Sequence, residues 1–183
     1  MEVEEIQGDL FEGAQPTDGL VHCVSKDLHM SKGIAARFRD EFRGVDELRK
    51  QNRSVGEVAV LDRPPRAGVF YLVTKLRFFD KPTLASLQAS LEDLRRVCEQ
   101  RGVCGLSMPR IGCGLDKLGW EDVKKLIYVA VIWNRISSPV KSVFLNCRLN
   151  DRPRHPQEQQ EDQDEEQIRI QLHAGSAEAS KQR

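Results

Sequence analysis

The chain has 183 residues, of which 39% are hydrophobic, 31% charged and 6% aromatic, with 28 Lys and Arg against 28 Asp and Glu. That length suits one domain and excludes a (β/α)8 barrel of about 250 residues. The apolar content excludes a wholly disordered chain, and zero net charge excludes bulk electrostatic coating of nucleic acid.

The zero is a sum of unlike parts. Residues 151–183 carry 8 acids and 5 bases and no Phe, Trp or Tyr, leaving 20 acids and 23 bases in residues 1–150. We therefore expect one folded domain over 1–150 and an acidic, disordered tail over 151–183.

In chain order, residues 3–7 alternate weakly and stop at Gly8, which predicts a first strand. The run Gly19 to Ser25 reads as a buried strand. Ser31 is placed to cap a helix over 32–43, with Ile34, Ala35 and Phe38 on one face. A short helix over 45–51 follows, then β-rich runs at 57–61 and 69–74 separated by Pro64, Pro65 and Gly68. Leu84, Leu87, Leu91, Leu94 and Cys98 recur at helical spacing from Thr83 until Gly102. A strand at 105–108, a helix over 120–133 and a last strand at 141–147 complete the order. Helices and strands alternating in this way predict an α/β layered domain.

The acidic start Glu2-Val3-Glu4-Glu5 does not read as a secretory signal, and no run approaches the roughly 18 apolar residues of a membrane span. The five cysteines, Cys23, Cys98, Cys104, Cys113 and Cys147, are odd in number and widely spaced. They predict neither a disulfide framework nor a zinc site, and most are expected to be small buried apolar residues. Together these point to the nucleus or cytoplasm, with no membrane partner and a monomer as the default state.

Four segments carry candidate chemistry. Asp9, after a strand, can accept a hydrogen bond from an exocyclic amine or simply cap the strand-to-loop transition. His22-Cys23-Val24-Ser25 leads into Met30 to Ala35, where free helix N–H groups and Lys32 suit an anion. His22 itself, inside an apolar run, reads as a hydrogen-bonded core histidine.

Met108-Pro109-Arg110-Ile111-Gly112-Cys113-Gly114-Leu115-Asp116 is a strand followed by a Gly-x-Gly loop, whose backbone N–H groups can approach a phosphate. It is neither a Walker loop nor a dinucleotide fingerprint. Lys75 ends an apolar strand, as a solvated end or as a nucleophilic amine activated by partial burial, with Asp116 as its partner.

Taken in order, Gly8 to Phe11, His22 to Ser25, Met30 to Ala35, Gly56 to Leu61, Leu72 to Lys75, Lys81-Pro82-Thr83 and Leu106 to Asp116 resemble the macrodomain family. Within it, they resemble the terminal ADP-ribose protein glycohydrolase branch, over residues 3–146. The run Ser107 to Asp116 is the most specific part.

The resemblance implies a three-layer α/β/α sandwich with a mixed central sheet and ADP-ribose in a cleft at the strand ends. It implies hydrolysis of ADP-ribose from modified glutamate and aspartate side chains, deacetylation of O-acetyl-ADP-ribose, and no metal or other cofactor. ADP-ribose and mono-ADP-ribosylated proteins are the implied partners, with poly-ADP-ribose a further one.

By the same resemblance, Lys75 is the nucleophile and Asp116 the second catalytic residue. Asp9 and Leu10 match the adenine side. Ser25, Gly33 and Ile34 match one wall of the diphosphate channel, and Ile111, Gly112, Cys113, Gly114 and Leu115 the other. Phe144 falls where an aromatic contacts adenine. Ser31 and Lys32 are bulkier than the small residues usual at those positions. They motivate an alternative, a module that binds ADP-ribose without cleaving it.

Overall fold

The computed structural model describes residues 2–132 and 142–146, so both the expected boundary at 150 and the tail lie outside the described residues. The elements are β1 (Glu2–Ile6), α1 (Leu10–Gly13), β2 (Gly19–Ser25), α2 (Gly33–Phe42), α3 (Val45–Lys50), β3 (Val58–Leu61), β4 (Val69–Lys75), α4 (Leu84–Arg101), β5 (Gly105–Pro109), α5 (Trp120–Ile127) and β6 (Ser142–Asn146). Residues Tyr128–Ile132, directly after α5, form a π-helical turn.

The strands make one sheet in the order β1-β6-β5-β2-β4-β3. Every pair is parallel except β3 with β4, so the sheet is mixed. Its centre is apolar on both faces, as parallel strands covered by helices must be. Phe70 and Leu72 of β4 face one core with Leu87, Leu91, Leu94 and Cys98 of α4 and Val123 and Ile127 of α5. Val69, Tyr71 and Val73 face the other, with Leu10, Phe38 of α2 and Leu48 of α3. Helices on both faces make the three-layer α/β/α sandwich that the resemblance implied.

Local chemistry sets the element ends. Thr83 Oγ1 accepts from the Ser86 N–H at 3.0 Å and Ser86 Oγ accepts from the Thr83 N–H at 3.1 Å, a reciprocal cap for α4. Gly102, at φ 64°, ends that helix in the left-handed conformation. Leu84 belongs to the expected apolar stripe but, as the first residue of α4, is exposed.

Three expectations need correction. The stretch 120–133 is not one α-helix, since it changes to π geometry at Tyr128. Ser31 does not cap α2: the cap position is Lys32, which makes no side-chain capping bond. Asp9 does not end a strand in a loop but caps the short helix α1, accepting from the Phe11 N–H at 2.9 Å. Four residues are too few for apolar periodicity to reveal.

Candidate active site

The strand order places a switch point between β2 and β5. From β2 the chain proceeds through helices toward β4, and from β5 through α5 toward β6, on opposite sides. Open α/β sheets hold ligands in the crevice at such a point, beyond the carboxyl ends of the strands. Here the crevice is widened, because β2 and β5 pair only at Gly19–Leu106 and Leu20–Ser107. The buried Ser107 hydroxyl donates to Asp18 at 2.8 Å and pins the closed end. Past it the strands part, and Ser25 and Pro109 end on either side of the gap.

Lys75 and Asp116 meet beside this gap. Nζ of Lys75 lies 2.7 Å from Oδ1 of Asp116, with the side chains 13% and 14% exposed. A charged pair this sheltered is screened little by salt, yet stays within reach of solvent and ligand. The register shifts between Val24 and Ser25, so that Ser25 pairs with Lys75 and the Lys26 N–H donates to the Lys75 carbonyl at 2.9 Å. That bulge re-aims the strand end carrying the lysine. Lys81 Nζ donates to the Leu115 carbonyl at 2.7 Å and ties the segment after β4 to the Asp116 loop.

Two thiols adjoin the pair. Burial pushes the Cys23 thiol up, with the nearby Asp116 carboxylate adding to the effect. Burial likewise raises Cys113, opposed by Arg110 and aided by Asp116. Both stay neutral thiols, whereas thiolate is the nucleophilic form. Among the described cysteines, all free, Cys98 is buried and Cys23 and Cys113 are partly so. Burial raises the Cys98 thiol to about 12. Cys104 is exposed, against the expectation for the group.

Two rows of backbone N–H groups face the same region. Because Lys32 provides no cap, the first N–H groups of α2, those of Gly33, Ile34 and Ala35, find no acceptor among the described residues. An uncapped N-terminus of this kind is a ready anion site. The approach to it is bent: Leu28 and Met30 hold φ of 52° and 41°, conformations that non-glycine residues adopt rarely.

In the opposite loop Ile111 and Cys113 donate internally, and the Gly112 N–H is turned to Cys23. The N–H groups of Gly114, Leu115 and Asp116 have no acceptor among the described residues. Gly112 sits at φ 69°, and a Cβ there would stand 2.9 Å from Leu118 Cδ1. The two rows approach each other, since a Cβ on Gly33 would contact Leu115 Cδ1 at 3.7 Å.

The remaining expected residues divide. Leu10 and Ile111 are buried in the two cores, so their backbones rather than their side chains border the crevice. Ile34 is partly buried against the α2 core. Ser25 is buried and its hydroxyl donates to Asp27, so it orders the loop rather than offering a free donor. Phe144 stands in β6 in register with Glu4 and Ser107, and the contact expected of its ring lies outside the described residues.

Asp9 is 10% exposed and carries a partner that periodicity does not reveal. Arg37 of α2 donates to its two carboxylate oxygens at 2.7 and 3.3 Å. The same guanidinium lies 4.4 Å from the Phe11 ring centre. Asp27 was likewise missed: it receives the Ser25 hydroxyl and the Phe78 N–H, the latter at 2.9 Å. Its position two residues after Ser25 is the one local signal.

His22 belongs to the core, but not as a hydrogen-bonded residue. It is fully buried, stacked on Phe38 at 3.8 Å and edge-on to Tyr71 at 4.7 Å. Neither ring nitrogen finds a well-formed partner, although the backbone at Cys23 lies close enough to favour the proton slightly. Burial lowers its pKa to about 3, so it is neutral at pH 7.

No protein-family model matches the chain. Human ADP-ribose glycohydrolase OARD1 is 51% identical over 122 residues, which are 67% of this chain and 79% of the human protein. The bovine ADP-ribose glycohydrolase OARD1 is 52% identical over the same length. Among solved structures, the macrodomain of Mycobacterium tuberculosis DarG superposes with a TM-score of 0.68 at 25% identity, over 79% of this chain and 97% of that one. The macrodomain of Thermus aquaticus DarG superposes with a TM-score of 0.67 at 24% identity, over the same shares, and shows the fold.

Proposed function

The chain belongs to the macrodomain family, in its ADP-ribose glycohydrolase branch, and from that membership we propose that it is a hydrolase removing ADP-ribose from mono-ADP-ribosylated glutamate and aspartate side chains, and that it also deacetylates O-acetyl-ADP-ribose. The observation that carries the reading is the Lys75–Asp116 pair, 2.7 Å apart at the switch-point crevice. The two rows of N–H groups beside it, without acceptors among the described residues, suit a diphosphate.

Lys75 Nζ first gives its proton to Asp116, the acceptor within hydrogen-bond reach. The free amine attacks the anomeric carbon of the distal ribose as the bond from that carbon to the acyl oxygen breaks. The leaving carboxylate is stable as an anion and needs little acid assistance. Asp116 passes that proton on to solvent; water then adds to the lysyl-ADP-ribose carbon with the Asp116 carboxylate as base, the carbon–nitrogen bond breaks, and the freed amine takes up the proton that Asp116 drew from the water. Two modest barriers replace one high barrier.

The test is release of ADP-ribose from a protein carrying it on glutamate. Wild type releases it, and Lys75→Ala and Asp116→Ala do not, while all three bind ADP-ribose. Binding by all three with no release by any would refute the hydrolase reading and leave a binding module.

A further inference from the structure

The crevice is not the only concave site at the carboxyl end of β4. On the α2 and α3 side of the sheet lies a cavity of about 230 Å3, lined by Lys26, Leu28, Leu48, Arg49, Asn52, Arg53, Ala59 and Val73. Its floor is aliphatic, from Leu28, Leu48, Ala59 and Val73, which also belong to one buried cluster. Its rim is basic. Arg49 is bonded to Asp46 at 3.1 Å. Lys26 and Arg53 have no acidic partner among the described residues, and Arg53 Nε is buried without an acceptor.

The cavity adjoins the nucleophile's strand end. Val73 lies two residues before Lys75, roughly 7 Å along the strand. The Lys26 N–H is bonded to the Lys75 carbonyl. A chain bearing its modified residue at Lys75 would therefore bring flanking residues to this rim.

We propose that this cavity receives an acidic side chain, a glutamate above all, from the protein substrate near its ADP-ribosylated residue. The proposal rests on the hydrolase reading and adds a preference for sequence around the modified site. A glutamate matches both parts: its two methylenes suit the aliphatic floor, and its carboxylate suits a guanidinium fork with a lysine beside it. A nucleic-acid strand is disfavoured, because no aromatic ring lines the cavity to stack a base.

The test compares Arg53→Gln, and Lys26→Gln as a second variant should the first fail to fold, with wild type on three substrates. One is a peptide ADP-ribosylated on glutamate and flanked by glutamates. The second is the same peptide with glutamines at the flanks, and the third is O-acetyl-ADP-ribose, which has no peptide. Each variant is expected to raise KM for the acidic peptide about tenfold with kcat unchanged. Wild type should show the same rise with the glutamine-flanked peptide, the variants no further rise, and turnover of O-acetyl-ADP-ribose should not move. An equal loss on all three substrates, or no loss on the acidic peptide, would overturn the proposal.

Should no substrate turn over, the hydrolase reading fails and the cavity is still tested by fluorescence anisotropy with the unmodified glutamate-rich peptide. Binding weakened about tenfold by Arg53→Gln supports the cavity, and binding that Arg53→Gln leaves unchanged, or no binding, overturns it. A single-stranded oligonucleotide that displaces the peptide and itself depends on Arg53 would also overturn it.

Discussion

The middle and the carboxyl end of the β2–β4 pair bury ionisable side chains in opposite ways. In the middle, His22 and Tyr71 stand in register, and neither the imidazole nitrogens nor the phenol oxygen has a well-formed partner. Three residues further along β2 and four along β4, Lys75 stands in register with Ser25 and holds Asp116 at 2.7 Å. Burial without a partner drives a group to its neutral form, which here serves as an aromatic filler between Phe38 and Tyr71. At the carboxyl end an amine and a carboxyl group are instead held within hydrogen-bond distance at the edge of a crevice. The same two strands thus carry an unpartnered core site and, on the proposed function, a chemical one, and the partner makes the difference.

The largest effect is expected at the paired end. Lys75→Ala should lower ADP-ribose release on the order of 10^4-fold, as loss of a nucleophile does, and leave ADP-ribose binding intact by calorimetry. Asp116→Asn keeps the shape but cannot take the proton, and should cost about 10^2- to 10^4-fold in single-turnover rate. If either variant turned over like wild type, the pair would be no more chemical than His22.

At the unpartnered end the expected effect is on stability. The folded-state value of His22 is lowered to about 3 from an ordinary 6.5. Below pH 6.5 the unfolded chain therefore takes a proton that the folded chain refuses. Stability from this residue is complete above pH 6.5 and is lost as pH falls toward 3. Between pH 7 and pH 5 the loss is about 2 kcal/mol. Denaturant titrations across that range should show it in wild type and not in His22→Phe, and equal slopes for both would contradict the unpartnered reading.

Smaller effects sharpen the picture of the walls. Gly112→Ala combines a positive φ with a Cβ 2.9 Å from Leu118, and should cost about 1–3 kcal/mol in thermal unfolding. Arg37→Ala removes a half-exposed guanidinium from Asp9, and should change stability by no more than about 1 kcal/mol. A larger loss there would make the Asp9–Arg37 pair a structural clasp.

Much of this was legible in the sequence for identifiable physical reasons. The stripe from Leu87 to Cys98 and the Thr83 and Gly102 boundaries of α4 are local signals, so the helix could be read directly. The run Ser107 to Asp116 carried the family resemblance, and through it the pairing of Lys75 with a residue 41 positions away. The missed features depend on three-dimensional context. Arg37 reaches Asp9 across 28 positions with no pattern linking them. The bulge at Ser25 and the missing cap on α2 follow from how the strand end meets the loop. His22 looked like an ordinary satisfied core residue, because an apolar run says that a side chain is buried and not whether it is bonded.

On the proposed mechanism, Lys75 becomes covalently bonded to ADP-ribose during turnover. The direct measurement is mass spectrometry of the protein after mixing with glutamate-linked ADP-ribosyl substrate and quenching with borohydride, in wild type and in Asp116→Ala. One ADP-ribose is expected on the peptide containing Lys75, at higher occupancy in Asp116→Ala, where solvent still takes the Lys75 proton while release of the adduct by water is slowed. Full turnover by Lys75→Ala, with no adduct in any variant, would contradict it.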